Sequence, residues 1–193
     1  MPMPMPIRRP ARLAFTIVLT SLAGACGGGG GSFIQPLPQL AAAQPAALIG
    51  ACSDLASKIS YANTTITSST AVAAGTVGGI AAPAHCLVTG KMFQRVSAVD
   101  GNSYAIGFEM RLPLNWNGRF FYQANGGTDG AVVPATGPAG GGGPLTGALA
   151  QGFAVISSDA GHVGGPLGSP PLFGIDLQAR LDYGYQAVGK LTP

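Results

Sequence analysis

The sequence predicts an α/β fold, built as a mostly parallel sheet with an antiparallel hairpin at its edge. Two segments alternate between apolar and polar residues, as half-exposed strands do, and two later segments are apolar throughout, as buried parallel strands are. Helical patterns separate and follow these two apolar segments. The predicted order of elements is therefore strand, strand, strand, helix, strand, helix.

The first predicted element is a short helical turn at residues 52–59, where the folded domain begins. The segment TVGGIAAPAHC, residues 76–86, is predicted to be a loop because its glycines and proline interrupt regular structure. Residues 87–99 and 104–113 alternate in polarity and are predicted to form the antiparallel hairpin. The second of these strands places four apolar side chains on one face: Ile106, Phe108, Met110 and Leu112.

The later elements follow a turn at Asn115-Trp116-Asn117-Gly118. The apolar run RFFYQA, residues 119–124, is predicted to be a strand at the centre of the sheet. A glycine-rich stretch follows, and residues 144–151 are predicted to be a short helix begun by a proline. GFAVISSD, residues 152–159, is predicted to be a second buried strand. The last element is a helix at residues 176–191, with a predicted buried face of Leu177, Leu181, Tyr185 and Val188.

Residues 1–26 are predicted to be an export signal, because a basic start precedes an apolar run that is shorter than the roughly 20 residues of a membrane span. The end of this signal permits two cleavage sites. Leu22-Ala23-Gly24-Ala25-Cys26 is similar to a bacterial lipobox, which predicts lipidation of Cys26, and the Gly/Pro/Ala-rich stretch 27–50 is then a tether. The alternative is cleavage after Ala25 and release. The protein is therefore expected to be a periplasmic or outer-membrane lipoprotein, or to be secreted.

The charges argue against nucleic acid as a partner. The formal charge of +3 is accounted for by Arg8, Arg9 and Arg12, which all lie in the export signal. The remainder of the chain is neutral and has no basic stripe of the kind that binds phosphates.

Cysteine usage agrees with export. If Cys26 carries lipid, Cys52 and Cys86 remain as an even pair in an oxidising compartment, which predicts a disulfide between them. Such a bridge would close a loop of about 35 residues and stabilise the fold by roughly 3–4 kcal/mol. The alternative is a pair of buried thiols.

Sequence motifs for catalysis are few. The chain has no G-x-S-x-G elbow, no Walker loop and no G-x-G-x-x-G. Ser158, Asp159 and His162 are too close in sequence to form a catalytic triad, in which histidine bridges serine and aspartate. We expect them to hold a strand end by hydrogen bonds, and Asp159 with His162 is too small a set for a metal site. His85, beside the cysteine pair, is expected to be structural.

The glycine-rich stretch in FFYQANGGTDGAV, residues 120–132, is the best candidate for a site. It follows the third predicted strand and precedes the first predicted helix, where α/β-hydrolases place one of their oxyanion-hole N–H groups. Glycine lets the backbone take the required conformation and lets a substrate approach. The alternative is a plain flexible loop.

Longer motifs resemble one family. They are the paired cysteines with Pro83 and His85 before the second, LPLNWNGRFFYQANGGTDGAV (112–132), GFAVISSDAGH (152–162) and FGIDLQARLDYGYQAV (173–188). Together they resemble the bacterial tannase and feruloyl esterase family from residue 52 to about residue 190. The resemblance implies the N-terminal part of an α/β-hydrolase fold, with residues 51–193 as a partial domain that ends before the nucleophile strand.

The resemblance also implies an activity and a site. The expected activity is that of a serine carboxylic-ester hydrolase on small aromatic, phenolic acid esters, with no cofactor or metal among these residues and no membrane contact except a lipid anchor. Gly127 is expected to supply an oxyanion-hole N–H, on a loop shaped by Asn125 and Gly126, and Cys52 and Cys86 to form the disulfide. Some relatives have Gly-Ser-Gly where this chain has Asn-Gly-Gly, which leaves a neighbouring loop residue as the alternative donor.

The family's catalytic serine, in a Gly-Cys-Ser-x-Gly-Gly elbow, and its aspartate and histidine have no counterpart in these residues. We therefore expect the chain to be an N-terminal fragment from an incomplete gene and to be inactive alone. Which aromatic ester is used is not encoded here, because the lid that selects it is absent. The alternative is a non-catalytic exported lipoprotein that serves as a binding or interaction module.

Overall fold

The computed structural model describes residues 42–47, 50–138, 147–164 and 171–192, all within one unit, Ala41–Pro193. The export signal, Cys26 and most of the tether lie outside the described residues, so the predictions for them remain predictions. None of the helices among the described residues is long and apolar enough to cross a membrane.

The main sheet contains five strands in the described part of the chain. In chain order they are β2 (Thr64–Val72), β5 (His85–Val96), β6 (Ser103–Pro113), β8 (Phe120–Gln123) and β9 (Ala154–Ser158). Their order across the sheet is β2-β5-β6-β9-β8. The pairs β2–β5, β5–β6 and β6–β9 are antiparallel, and β8 and β9 are parallel. This mixed sheet fits part of an α/β fold and confirms the predicted class, but the sheet is not mostly parallel as predicted, because three of its four described strand pairs are antiparallel.

The predicted hairpin is confirmed as β5 and β6, but it does not form the edge of the sheet. The edge is β2, a strand that was not predicted because its sequence, TTITSSTAV, is polar and largely exposed. Its many β-branched residues nevertheless favour extended backbone. The strand β8 is also placed differently from the prediction, because it lies at the other end of the sheet in the described region, with Phe120 45% exposed.

Three small elements complete the strands. β1 (Ala46–Ala47) pairs with β7 (Asn115–Trp116). β3 (Gly75–Val77) and β4 (Ile80–Ala82) form a hairpin, so the predicted loop at residues 76–86 is wrong. Gly78 and Gly79 join its strands with φ of 56° and 82°, and two successive positive φ values are what a type I′ hairpin turn requires.

The sheet buries one cluster on each face. One cluster contains Val155 of β9 and is closed by the β3–β4 hairpin together with Ala135, Ala148, Leu149 and Phe153. The other contains Ile106, Phe108 and Ile156 and is closed by the last helix through Ala187. Ile106, Phe108 and Met110 therefore share a buried face, as predicted.

The predicted N-terminal turn and disulfide are confirmed. A 3₁₀ turn (Cys52–Asp54) leads into α1 (Leu55–Lys58). The disulfide Cys52–Cys86 attaches this turn to the buried start of β5, with the two Cα atoms 5.6 Å apart. Farther along, residues 147–152 form hydrogen-bonded turns rather than the predicted helix, whose first residues lie outside the described part.

The last helix is confirmed, but its predicted buried face is wrong. It consists of α2 (Leu177–Leu181), a π-helical segment (Asp182–Gln186) and α3 (Ala187–Leu191), preceded by a 3₁₀ turn (Leu172–Ile175). Leu177, Tyr185 and Val188 are exposed, whereas Ala179, Asp182 and Ala187 are buried.

Two causes explain the difference. Small alanine side chains let the helix pack closely on the sheet. The buried carboxylates at its start and middle are neutralised by basic partners. Asp176 caps the helix by accepting the Ala179 N–H (2.7 Å) and pairs with Arg95 (2.9 Å), and Asp182 pairs with Lys190 (2.5 Å).

Candidate functional site

The candidate site is the glycine loop, which we define as residues 124–133, where the chain leaves β8. Because β8 and β9 are parallel, their carboxyl ends lie at the same edge of the sheet. The loop therefore lies beside the residues that follow β9. Ligands of open α/β sheets bind at this edge, outside the carboxyl ends of the strands.

A tight turn at residues 126–129 forms the tip of the loop. The Asp129 N–H donates to the Gly126 carbonyl over 3.4 Å, and Gly127 has a φ of 68°. Thr128 has no positive φ, so the turn has the φ pattern of type II′, which requires glycine at its first central position. Gly126, Gly127 and Thr128 are exposed, and the Gly127 N–H donates no hydrogen bond to any described residue. Within the described part of the chain this N–H is therefore unpaired.

The start of the loop is held by Asn125. Its amide donates to the Ser158 carbonyl (2.8 Å) and to the Ser157 hydroxyl (3.2 Å), both at the end of β9. Gln123 supports it from behind by donating to the Asn125 side-chain oxygen (3.2 Å), while its own oxygen accepts the Gly137 N–H (2.8 Å). Asn125 therefore attaches the loop to the neighbouring strand.

The far end of the loop is held at Gly130. Its N–H donates to the Asp159 carbonyl (3.3 Å), and its carbonyl accepts the Gly164 N–H (2.7 Å). A Cβ on Gly130 would lie 2.3 Å from the Gly164 nitrogen, so only glycine fits at this position.

Ser158, Asp159 and His162 follow β9 and do not interact as a triad. The Ser158 hydroxyl bonds with the Tyr122 hydroxyl (2.9 Å) and accepts the Ala160 N–H (3.2 Å). Asp159 accepts the Gly107 and Gly161 N–H groups, each at 2.9 Å. Ser158 and Asp159 thus bind backbone and strand groups, in agreement with the structural role expected from the sequence. Burial raises the pKa of Asp159 to about 6, although these two donors oppose the shift.

His162 is 1% exposed, and its ring stacks on Phe173 with centroids 3.6 Å apart. Neither ring nitrogen has a hydrogen-bond partner among the described residues, so the prediction that His162 holds the strand end by hydrogen bonds is wrong for this part of the chain. Burial lowers the pKa of His162, and nearby backbone groups of Thr128 and Ala160 only partly oppose this effect. The ring is therefore neutral at pH 7, and it packs against the rings of Phe173 and Tyr183.

His85 belongs to a separate buried network. Its Nδ1 donates to the Pro83 carbonyl (2.6 Å), and its Nε2 accepts from Arg111 (2.7 Å), which makes the imidazole neutral. Burial lowers its pKa, and the Arg111 charge lowers it further. Arg111 also pairs with Glu109 (2.6 Å), which accepts the Ala135 N–H (2.8 Å). These contacts connect the sheet to the segment after the glycine loop and agree with a structural His85.

A contact that the sequence did not predict comes from the last helix. The Tyr183 hydroxyl donates to the Gly127 carbonyl over 3.2 Å. The helical pattern of residues 176–191 had assigned Tyr185 to the packed face, and no sequence signal distinguished Tyr183 from it.

A cavity of about 490 Å³ lies beside the start of the loop. It is lined by residues of β8, of the loop and of the segment after it, among them Phe121, Tyr122, Asn125 and Gly126. An opening of this size is in the range of small-molecule sites. Among the described residues, no three histidine, cysteine or acidic side chains come together as metal ligands would.

Comparisons with known proteins all point to the same family. Residues 86–193 match the family described as tannase and feruloyl esterase. The mono(2-hydroxyethyl) terephthalate hydrolase of Piscinibacter sakaiensis is 41% identical over 125 residues, which cover 62% of this chain and 20% of that protein. An uncharacterized esterase of Agrobacterium fabrum is 30% identical over 106 residues, which cover 52% of this chain and 18% of that protein.

Solved structures agree. Feruloyl esterase B from Aspergillus oryzae aligns with a TM-score of 0.52 and 26% identity, over 70% of this chain and 26% of that one. A second esterase from Aspergillus oryzae, at 23% identity and a TM-score of 0.53, supports the fold alone, over 72% of this chain and 27% of that one. The chain spans about one fifth of the length of the curated relatives it matches. On this evidence the chain belongs to the tannase and feruloyl esterase family, as its motifs predicted.

Proposed function

We propose that this chain is part of an exported serine carboxylic-ester hydrolase that acts on esters of aromatic acids, and that it contributes one N–H of the oxyanion hole, from Gly127. The observation that carries the proposal is the Gly127 N–H. It has no partner among the described residues and lies on an exposed type II′ turn. The turn lies at the edge of the sheet where α/β enzymes bind their substrates.

The role follows from the chemistry of ester cleavage. When a serine attacks the ester carbon, the carbonyl oxygen becomes an oxyanion, and N–H donors that are already in position stabilise it. One such donor accounts for a factor of about 100 to 1000 in kcat. The second donor, the serine and its histidine and aspartate partners would come from polypeptide outside these residues. Asn125 and Gly126 keep the turn in place beside them.

The substrate class rests on the relatives and on the cavity. The names of two relatives specify a terephthalate monoester and a feruloyl ester, both esters of aromatic acids. Phe121 and Tyr122 line the cavity beside the loop, and aromatic side chains offer flat apolar surface to a ring. These observations support an aromatic acyl group, and they favour no single ester.

Export is proposed on the signal sequence and on the disulfide. Residues 1–26 have the composition of an export signal, and Cys26 fits lipidation. The Cys52–Cys86 bridge supports this assignment, since disulfides persist in oxidising compartments.

The substitution Gly127→Ala tests the proposal. It is made in the longest protein that the reading frame of residues 1–193 encodes. Hydrolysis of methyl ferulate and of methyl gallate is then measured. A Cβ at Gly127 meets no atom within 4 Å, but φ of 68° is strained for alanine, which disfavours the turn conformation that presents the N–H. We expect kcat/KM to fall by about ten-fold, because the left-handed conformation costs alanine roughly 1–2 kcal/mol.

The matched control is Gly101→Ala, which has φ of 72°, equally open space and a position in the β5–β6 turn. It imposes the same backbone strain away from the site and should leave kcat/KM within about twofold. Equal effects of the two substitutions would overturn the assignment of Gly127. Purified residues 1–193 should not hydrolyse either ester, and activity that depends on one of its own side chains would contradict the proposal.

A further inference from the structure

Tyr183 lies on the last helix, opposite the tip of the glycine loop. The helix approaches the segment after β9 closely, because a Cβ on Gly161 would lie only 2.6 Å from the Cβ of Asp182. Gly161 has φ of 92°, so glycine is needed there both for space and for conformation. This close approach places the next helical residue, Tyr183, beside His162 and the loop.

The Tyr183 ring is held by two other rings. Its centroid lies 5.6 Å from that of His162 and 5.3 Å from that of Phe173, both edge to face. Such pairs have a preferred geometry and add to the stabilisation from burial. Since His162 is buried and neutral, the cluster fixes the direction of the Tyr183 hydroxyl without offering it a competing charge.

Tyr183 is also the second residue of the π-helical segment Asp182–Gln186. Single π turns are rare in helices and are frequent at functional sites. This one is stabilised through Asp182, whose Oδ1 accepts from Gln178 (3.0 Å) and pairs with Lys190 (2.5 Å). The π turn is therefore a defined local structure, and it turns Tyr183 rather than Tyr185 toward the loop. Tyr185 is 63% exposed.

The hydroxyl bonds to the central peptide of the turn. It donates over 3.2 Å to the Gly127 carbonyl, which belongs to the peptide between Gly127 and Thr128. Type I′, the turn that rotation of this peptide would give, needs a positive φ at Thr128, which a β-branched residue disfavours. The hydrogen bond on the carbonyl further restrains the peptide and the position of the Gly127 Cα to which it is attached. It thereby limits displacement of Gly127, whose N–H has no partner of its own among the described residues.

We infer that Tyr183 is a positioning residue for the oxyanion hole, which keeps the 126–129 turn in the conformation that presents the Gly127 N–H. The inference rests on the proposed function. Tyr183 does not touch the reacting atoms. It acts through the turn, so its effect is confined to the step in which the oxyanion forms.

The test compares Tyr183→Phe with Tyr185→Phe, which removes the same hydroxyl from an exposed ring two residues along the same helix. We expect Tyr183→Phe to lower kcat about three- to ten-fold, the effect of one lost neutral hydrogen bond, with KM within about twofold. Tyr185→Phe should change neither. The carbonyl ¹³C shift of Gly127, which reports a hydrogen bond on that oxygen, should change only in Tyr183→Phe.

The outcomes separate the inference from the proposed function. If Gly127→Ala lowers kcat and Tyr183→Phe leaves both kcat and the Gly127 carbonyl shift unchanged, Tyr183 has no positioning role while the proposed function stands. If Gly127→Ala behaves like Gly101→Ala, both fail. If Tyr183→Phe raises KM as much as it lowers kcat, the tyrosine binds substrate in the ground state, and the inference as stated is overturned.

Discussion

The free energy of unfolding of this protein should contain a term that falls as pH rises from about 4 to about 6, because of Asp159. Gly107 has no side chain and makes room for this carboxyl group, since a Cβ there would lie 2.5 Å from Asp159 Oδ2. Burial raises the pKa of Asp159 from 3.8 to about 6. The folded protein therefore holds this proton more tightly than the unfolded chain does.

The magnitude follows from linkage. Below about pH 4 the carboxyl group is protonated in both the folded and the unfolded state, so it does not lower the free energy of unfolding. Between pH 4 and 6 the unfolded chain releases the proton first, so unfolding becomes more favourable as pH rises. A shift of about two pKa units corresponds to about 3 kcal/mol, which is lost in full above about pH 6. The loop tip and the end of β9 meet at this residue, so the loss should be felt at the candidate site.

The assay is urea unfolding of the wild type and Asp159→Asn at several pH values from 4 to 8. The asparagine oxygen can still accept the Gly107 and Gly161 N–H groups, and any fixed cost of the amide is the same at every pH. The stability difference, variant minus wild type, should therefore grow by about 3 kcal/mol across this range. Other carboxylates titrate as well. Asp176, whose pKa is lowered by its hydrogen bonds to Arg95, is common to both proteins and cancels.

Asp100→Asn is a control in which the pH dependence of the stability difference should have the opposite sign. Hydrogen bonds, first of all from the Tyr104 hydroxyl (2.6 Å), lower the pKa of Asp100. Its contribution to stability is present above the unfolded pKa and is lost as pH falls below about 4, so with the series extended below pH 4 this variant should lose stability relative to wild type as pH rises to about 4, and the difference should stay level from pH 4 to 8. Parallel pH profiles for wild type and Asp159→Asn, or a difference that shrinks with pH, would refute the argument about Asp159.

Two further predictions concern the covalent features. Reduction of the Cys52–Cys86 bridge, 34 residues apart, should lower the free energy of unfolding by up to about 4 kcal/mol in the chain-entropy model, and an unchanged urea midpoint with both thiols shown to be free would contradict it. The mature protein from a bacterial host should begin at Cys26 and carry added acyl mass, and intact mass spectrometry that finds Cys26 without acyl groups would remove the lipid anchor from the proposal.

Sequence pattern predicted the elements whose burial follows simple periodicity. The alternation in β6 and the apolar run of β9 were sufficient because these side chains point into the two clusters of the core. The edge strand β2 was missed because an exposed strand needs no apolar alternation, and its threonines and serines are equally common in loops. The hairpin of β3 and β4 was missed because Gly78 and Gly79 were read as breakers, whereas they are the turn that the hairpin needs.

The last helix shows a different limit of prediction from sequence periodicity. Periodicity assumes that apolar side chains are buried, but Ala179, Asp182 and Ala187 are buried here and Tyr185 is exposed. Buried acids become acceptable only when a partner is present, and Lys190 and Arg95 are recognised as partners only in three dimensions. A π turn further shifts the register between the two halves of the helix. No pattern with a period of 3.6 residues accommodates that shift.

The candidate site was predicted from the position of the loop in the chain, and the contacts that hold the loop come from residues far along the sequence. The type II′ turn requires glycine at Gly127, and glycine is the residue least able to hold one conformation by itself. The compensating contacts come from Asn125 to Ser158, 33 residues apart, and from Tyr183 to Gly127, 56 residues apart. The loop sequence alone therefore specifies a turn that can form, and the strand β9 with the last helix determines that it stays formed. An N–H directed at an oxyanion must be in place before the charge develops. Under the proposed function, the packing of the helix at Gly161 and Asp182 therefore contributes to the same site as the glycine loop.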